Sequence, residues 1–290
     1  MDELQNFIFD DHPVRGALIR LDSVYQKILQ AQSYPMPIQQ LLAEALAGLL
    51  LLASVNKISG RMSLQFQGGQ IIQLLSVQHT SAGFVRGLVQ FDTSRKIDQQ
   101  TLLQDLSAGT LSVVYQPDTT VKQYQSVVSF VGTSIVDSLQ HYCGQSEQQL
   151  TKIKVAYNGK QLIGFMLQMM PEIGRQDRPA ESWEHLTTLA ETLTSDELLR
   201  HDNETILHRL YHQEQIRVFD PANVQFGCQG SKRRFENAIL SMGLHEAESI
   251  LAEHSAIDVN CEFCQKLFSF DRVDVEALFR AGQTPDCNRH

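Results

Sequence analysis

Four of the five cysteines in the chain fall after position 227: Cys228, Cys261, Cys264 and Cys287, with Cys143 alone in the first half. A segment running from about Val224 to His290 buries too small a core to hold itself folded unaided. Segments of that size are stapled by a disulfide, a metal or a partner. An odd thiol count on a long chain argues against a secreted disulfide scaffold. In a reducing compartment, clustered thiols serve as metal ligands or redox switches. Cys261-Glu262-Phe263-Cys264 is the sharpest motif. Two thiolates on one tight turn can grip a tetrahedral Zn²⁺, and the same spacing closes readily into a disulfide. Cys228 lies 33 positions upstream of Cys261, a common separation between the halves of a small zinc module.

Before that module the pattern mixes α and β. Tyr25 to Leu29 and Ile38 to Leu52 have helical spacing, divided by Pro35 and Pro37. Met62, Leu64 and Phe66 alternate with polar residues, turn at Gly68-Gly69 and resume at Ile71 to Leu75. A further strand is expected over Ser126 to Val131, and a hairpin from Ile153 to Met170 around Asn158-Gly159. Composition changes at Pro171. Glu172 to Pro179 has the make-up of a linker, and the stretch beyond it is polar and helical. Leu186, Leu189 and Leu193 form a narrow stripe, Thr194 with Glu197 fits a capping box, and Asn203 is expected to cap a helix carrying Ile206, Leu207 and Leu210. Stripes this thin need docking to other structure. The expected organisation is an N-terminal sheet-and-helix domain over 1–171, a metastable helical linker over 172–223 and a C-terminal module over 224–290, an α+β chain.

With 42% hydrophobic and 20% charged residues, the composition is that of a folded globular chain. The net charge of −9 argues against binding phosphate backbones, and Lys232-Arg233-Arg234 is the sole basic spot in the last section, so no nucleic-acid partner is expected. The apolar run Ala45 to Ala53 is too short for a bilayer and reads as a buried helix, so no membrane is expected either. The acidic start, Met1-Asp2-Glu3-Leu4, lacks a secretory pattern and points to a cytoplasmic location. No Gly-rich phosphate loop, Gly-x-Ser-x-Gly elbow or dinucleotide fingerprint occurs, so the chain is not expected to be an enzyme. His208 and His212 read as a solvated helix face, and His245-Glu246 lacks the second histidine of a zinc protease.

Taken with their flanks, the cysteines resemble those of the 33 kDa heat-shock protein family, the redox-regulated holdase chaperones of bacteria. The resemblance covers nearly the whole chain. Val14-Arg15-Gly16, Tyr124-Gln125-Ser126-Val127-Val128, Ser146-Glu147-Gln148 and Gly164 to Pro171 carry it in the first part. Arg209-Leu210-Tyr211-His212, Phe226-Gly227-Cys228, Ile250-Leu251-Ala252-Glu253 and Cys261 to Cys264 carry it in the second. It implies a substrate-binding domain, a helical linker and a zinc module in which Cys-x-Cys and Cys-x-x-Cys pairs hold one Zn²⁺ per chain with the chaperone off. Oxidants then form two disulfides, expel zinc, unfold the linker and expose surface for unfolding client proteins. The active species is a homodimer, and holding needs no ATP. One position departs: Gly230 stands where the first pair would place its second cysteine. Cys228, Cys261 and Cys264 therefore carry over as metal ligands, and Cys261 with Cys264 as the redox-active disulfide. The fourth ligand is open to a histidine, Cys287 or water, and zinc is expected to be held weakly. On oxidation Cys228 stays a thiol, is capped, or pairs with Cys143, Cys287 or another subunit. Cys143 matches no switch position and reads as structural. Two other readings stay open: a structural zinc-binding interaction protein whose thiols never cycle, and a Cys-x-x-Cys thiol oxidoreductase.

Overall fold

The computed structural model describes residues 1–56, 59–120, 122–171, 179–228 and 231–282. Contacts divide the chain into two units, Met1–Phe226 and Gly227–His290. In the first, a hairpin of β1 (Asp2–Phe9) and β2 (Val14–Leu21) leads to α1 (Ser23–Gln30) and α2 (Met36–Val55). A meander follows, β3 (Gly60–Gln67), β4 (Ile72–Thr80) and β5 (Phe84–Phe91), then α3 (Gln99–Ala108) and β6 (Thr110–Pro117). Next come β7 (Tyr124–Val128), α4 (Ile135–Gln145) and a second hairpin, β8 (Thr151–Tyr157) with β9 (Leu162–Met169). Helices α5 (Pro179–Glu191), α6 (Ser195–Arg200) and α7 (Asn203–Tyr211) precede three short strands, β10 (Ile216–Val218), β11 (Ala222–Asn223) and β12 (Gln225–Phe226).

These strands make two sheets. One has the order β10-β1-β2-β9-β8, with β11 also on β1; the other runs β12-β5-β4-β3-β6-β7. Between them lies α2, packed against β2, β8 and β9 of one sheet and β3, β4 and β5 of the other. It is longer than the apolar run read from the sequence, and long enough to cross a bilayer, but 72% of its most apolar window is buried in the protein. Burial on both sides explains its nearly continuous apolar sequence. Each hairpin turns where the sequence places it, at Gly68-Gly69 and Asn158-Gly159. At the second, Gly159 takes φ +78° and the Asn158 side chain accepts from the Lys160 and Gln161 amides. The strand expected over Ser126 to Val131 starts earlier and ends at Val128.

The first sheet is apolar on both faces. Ala17, Ile19, Leu162 and Met166 join the core around α2, while Phe7, Phe9, Leu18, Ile163, Phe165 and Leu167 form the opposite face. Gly16 leaves room for the Phe7 ring against β2, since a Cβ there would sit 2.1 Å from the ring's Cζ. The cover over that second face comes from the stretch expected as a linker, whose residues 172–178 lie outside the described ones. Leu186, Ala190, Leu193, Leu198, Ile206, Leu207 and Tyr211 pack into it. The capping box is present, with Thr194 and Glu197 each accepting from the other's backbone. Asn203 does not cap α7. Asp202 takes that position, accepting from the Thr205 amide, which leaves Asn203 buried in the first turn. The tail is not helical, because β10 and β11 pair with β1 and extend the sheet.

The second unit holds α8 (Ser231–Met242), α9 (Leu244–Glu253), a hairpin of β13 (Ile257–Asn260) and β14 (Leu267–Phe270), and α10 (Arg272–Gly282). Its core is small: Ile239, Ala247, Leu251, Ile257, Phe270 and Val275 are the buried members. A core of that size stabilises little on its own.

Candidate metal and redox centre

The turn joining β13 to β14 carries Cys261 and Cys264. Its ladder ends with Asn260 opposite Leu267, and the Cys261 amide continues it by donating to the Lys266 carbonyl at 3.0 Å. The Gln265 amide then donates to the Cys261 carbonyl at 2.7 Å, which folds the chain back on itself. Gln265 occupies the left-handed region at φ 55°, a strained place for a non-glycine residue. This backbone aims the Lys266 amide at the Cys264 sulfur.

Cys228, just before α8, completes the group. Its Sγ lies 3.2 Å from that of Cys261, and the sulfurs of Cys228, Cys261 and Cys264 all fall within 4.8 Å of one another. Cys261 is 3% exposed; the other two are part-buried. No disulfide joins the four described cysteines. Burial pushes the Cys264 thiol up to about 12; the Lys266 amide opposes that rise, and hydrogen bonds with Cys261 and Cys228 add to it. A cation among the sulfurs would reverse this balance, since thiolates are the ligating form.

The donor set suits zinc. Tetrahedral Zn²⁺ with sulfur ligands at about 2.3 Å places neighbouring sulfurs about 3.8 Å apart, and three vertices are available here at such spacing. Among the described residues, no fourth histidine, cysteine or carboxylate joins the group. Cys287 and Gly230 lie outside the described residues. With all three cysteines as thiols, Cys228 touches Cys261. Cys143 is 2% exposed in the core of the first unit, where burial raises its thiol to about 11. His208 on α7 and His212, which caps the helix's C-terminus, are exposed neighbours with ring centres 6.0 Å apart.

The motif sits between antiparallel strands and not at a helix N-terminus, so the setting of a thioredoxin-type thiol is missing. A set of polar contacts that the sequence did not single out holds the α5–α7 cover. Arg20 donates to Asn203 Oδ1 at 2.7 Å and to the His201 carbonyl. Lys154 donates to the Glu191 and Leu193 carbonyls at 2.7 and 2.8 Å. Glu214 is gripped on one oxygen by His12 and on the other by His185, both at 2.9 Å. The one signal for this face was the run Leu162 to Met170, apolar without alternation, which requires cover on both sides.

Comparison with known proteins gives a consistent picture. Residues 2–271 match the family described as Hsp33 protein. The 33 kDa chaperonin of Shewanella sediminis is 39% identical over 285 residues, spanning 98% of each chain. That of Pseudomonas aeruginosa is 38% identical over 295 residues, covering 100% of this chain and 99% of its own. The crystal structure of the 33 kDa chaperonin (heat shock protein 33 homolog) from Thermotoga maritima has a TM-score of 0.79, over 97% of this chain and 99% of that one. At 21% identity it is a likeness of fold.

Proposed function

The chain belongs to the Hsp33 family of chaperones, and from that premise we propose that it is an ATP-independent, cytoplasmic holdase, switched on by cysteine oxidation under oxidative stress. Cys228, Cys261 and Cys264 would hold one Zn²⁺ per chain. Bound there, the metal supplies a cross-link between the start of the module and its hairpin. Oxidation of Cys261 and Cys264 to a disulfide removes two thiolate donors, which couples the switch to zinc release. The convergence of three sulfurs in a module with so small a core is the observation that carries this reading.

The metastable segment, 172–223, would then release the sheet. Phe7, Phe9, Leu18, Ile163, Phe165 and Leu167 make a contiguous apolar surface beneath α5–α7, of the kind that marks interaction sites when uncovered. Unfolding or oxidatively damaged proteins are the proposed clients, and a homodimer the proposed active form. The test is an aggregation assay on a heat-unfolding client, run with reduced and oxidised protein, with zinc release followed in parallel. Suppression by the oxidised form alone is expected, with faster amide exchange over 179–223. Equal holding in both states would remove redox control, and absence of holding in either would refute the reading. Catalytic turnover of a small dithiol would favour an oxidoreductase.

A further inference from the structure

Three thiols in mutual reach cannot all be paired, and of the three Cys261 alone is buried, with its sulfur 3.2 Å from that of Cys228. We propose that Cys261 is the common partner of two mutually exclusive disulfides, Cys228–Cys261 and Cys261–Cys264, and that the choice between them decides whether oxidation staples the C-terminal module or frees it. The inference deepens the redox reading above and rests on it only for its consequence in client holding.

Cys261 is the buried sulfur, and its two neighbours are part-buried. An oxidant therefore meets Cys228 or Cys264 first, and Cys261 is placed to resolve either. With hydrogen peroxide, the outer thiolate attacks one oxygen: an S–O bond forms, the O–O bond breaks, and hydroxide leaves and takes up a proton. Cys261 then attacks the resulting sulfenic sulfur. The S–S bond forms, the S–O bond breaks, and the departing hydroxide takes the Cys261 proton as water. Two thiols and one peroxide thus give one disulfide and two waters, and the third thiol stays reduced. That thiol can attack the disulfide at the Cys261 sulfur and exchange one isomer for the other with no net oxidation.

The Cys228–Cys261 contact of 3.2 Å needs about 1.2 Å of approach to reach a disulfide bond length of about 2.05 Å. The two isomers differ in what they hold. Cys261–Cys264 closes a ring inside a turn already fixed by the Gln265 and Cys261 amides, so it constrains nothing further and releases Cys228. Cys228–Cys261 encloses α8, α9 and β13, so it ties the module's first residues to its hairpin. Longer closed loops restrict the unfolded chain more. One isomer takes over the role of a staple; the other leaves the small core without one.

The experiment is disulfide mapping by mass spectrometry on full-length, zinc-loaded protein treated with hydrogen peroxide and quenched in acid. Both linked peptides are expected in one sample, never on one molecule, with one thiol of the three still alkylated. Cys264→Ser restricts the cluster to the stapled isomer and Cys228→Ser to the other. Amide exchange over 231–282 is expected to be at least tenfold slower in oxidised Cys264→Ser. Absence of the Cys228–Cys261 link from the wild-type map overturns the proposal without recourse to the variants. So does Cys228 found paired with Cys264, Cys143 or Cys287. If both isomers map and neither holds a client, the holdase reading fails and the shared-partner chemistry stands.

Discussion

The guanidinium of Arg20 donates through Nε to Oδ1 of Asn203 at 2.7 Å, so a cation near the end of β2 is held by the first turn of α7. Asn203 in turn donates to Gln5 Oε1 at 3.0 Å and Glu3 Oε1 at 3.4 Å, which binds the same turn to β1. Removing the amide strips a part-buried charge of one acceptor and two neighbouring acceptors of their donor. Asn203→Ala is expected to cost about 1–3 kcal/mol. The loss should concentrate in the α5–α7 cover, raising amide exchange there at least tenfold while α2 stays protected. Uniform exchange across the first unit would show that the cover has no stability of its own to lose.

Much of this architecture could be read in the residues, and what escaped did so for physical reasons. Hairpins at Gly68-Gly69 and Asn158-Gly159 depend on local turn chemistry, and the capping box at Thr194 and Glu197 on three adjacent residues. Asn203 misled because Asp202 and Asn203 are both good caps, and tertiary demand settled the matter: the sheet needed the amide for Arg20. The pairing of β10 and β11 with β1 joins residues some 200 positions apart, which no local pattern encodes. At the thiol cluster, spacing named Cys228, Cys261 and Cys264, whereas the 3.2 Å approach of Cys228 to Cys261 depends on how α8 and α9 fold back.

Glu44 carries the clearest pH dependence. It lies within the apolar α2, accepting from Gln40 at 3.2 Å and from the Ile135 amide at 3.1 Å. Burial raises its pKa from 4.5 to about 7, opposed by those two hydrogen bonds and aided by the charge of Asp137. Between these values the folded chain binds more protons than the unfolded one, so stability falls as pH rises. The contribution is full below about pH 4.5 and lost above about pH 7, on the order of 2–3 kcal/mol. Glu44→Gln should flatten that slope, matching wild type near pH 4.5 and exceeding it at pH 8 in urea unfolding. A parallel pH profile for the variant would assign the slope to other groups.

Gln265 stores strain in the turn that presents Cys261 and Cys264. At φ 55° it occupies a conformation that glycine adopts without penalty, and its side chain returns one hydrogen bond to the Glu262 carbonyl at 3.0 Å. Gln265→Gly should therefore stabilise the second unit by about 0.5–1 kcal/mol, read as a higher denaturant midpoint for 231–282 by amide exchange. An unchanged or lower midpoint would mean that the side-chain bond and the extra freedom of the unfolded glycine outweigh the strain.

The sulfur count sets the last expectation. Three thiolates leave one vertex of a tetrahedral Zn²⁺ to an exchangeable donor, whereas four make a closed structural site. Gly230 stands two residues after Cys228, so Gly230→Cys adds a sulfur beside an existing ligand. Zinc loss to a competing chelator is expected to slow at least tenfold, because each further thiolate must be displaced before the metal leaves. The added sulfur also makes the thiol number even. Cys228 then has a partner that does not compete for Cys261, so the Cys228–Cys261 link should disappear from the peroxide-treated map and Cys261–Cys264 should dominate. More oxidant should be needed for activation, since two disulfides consume two peroxides where one sufficed. If chelator kinetics and the oxidant threshold both match wild type, the fourth vertex is already filled by another residue of the chain.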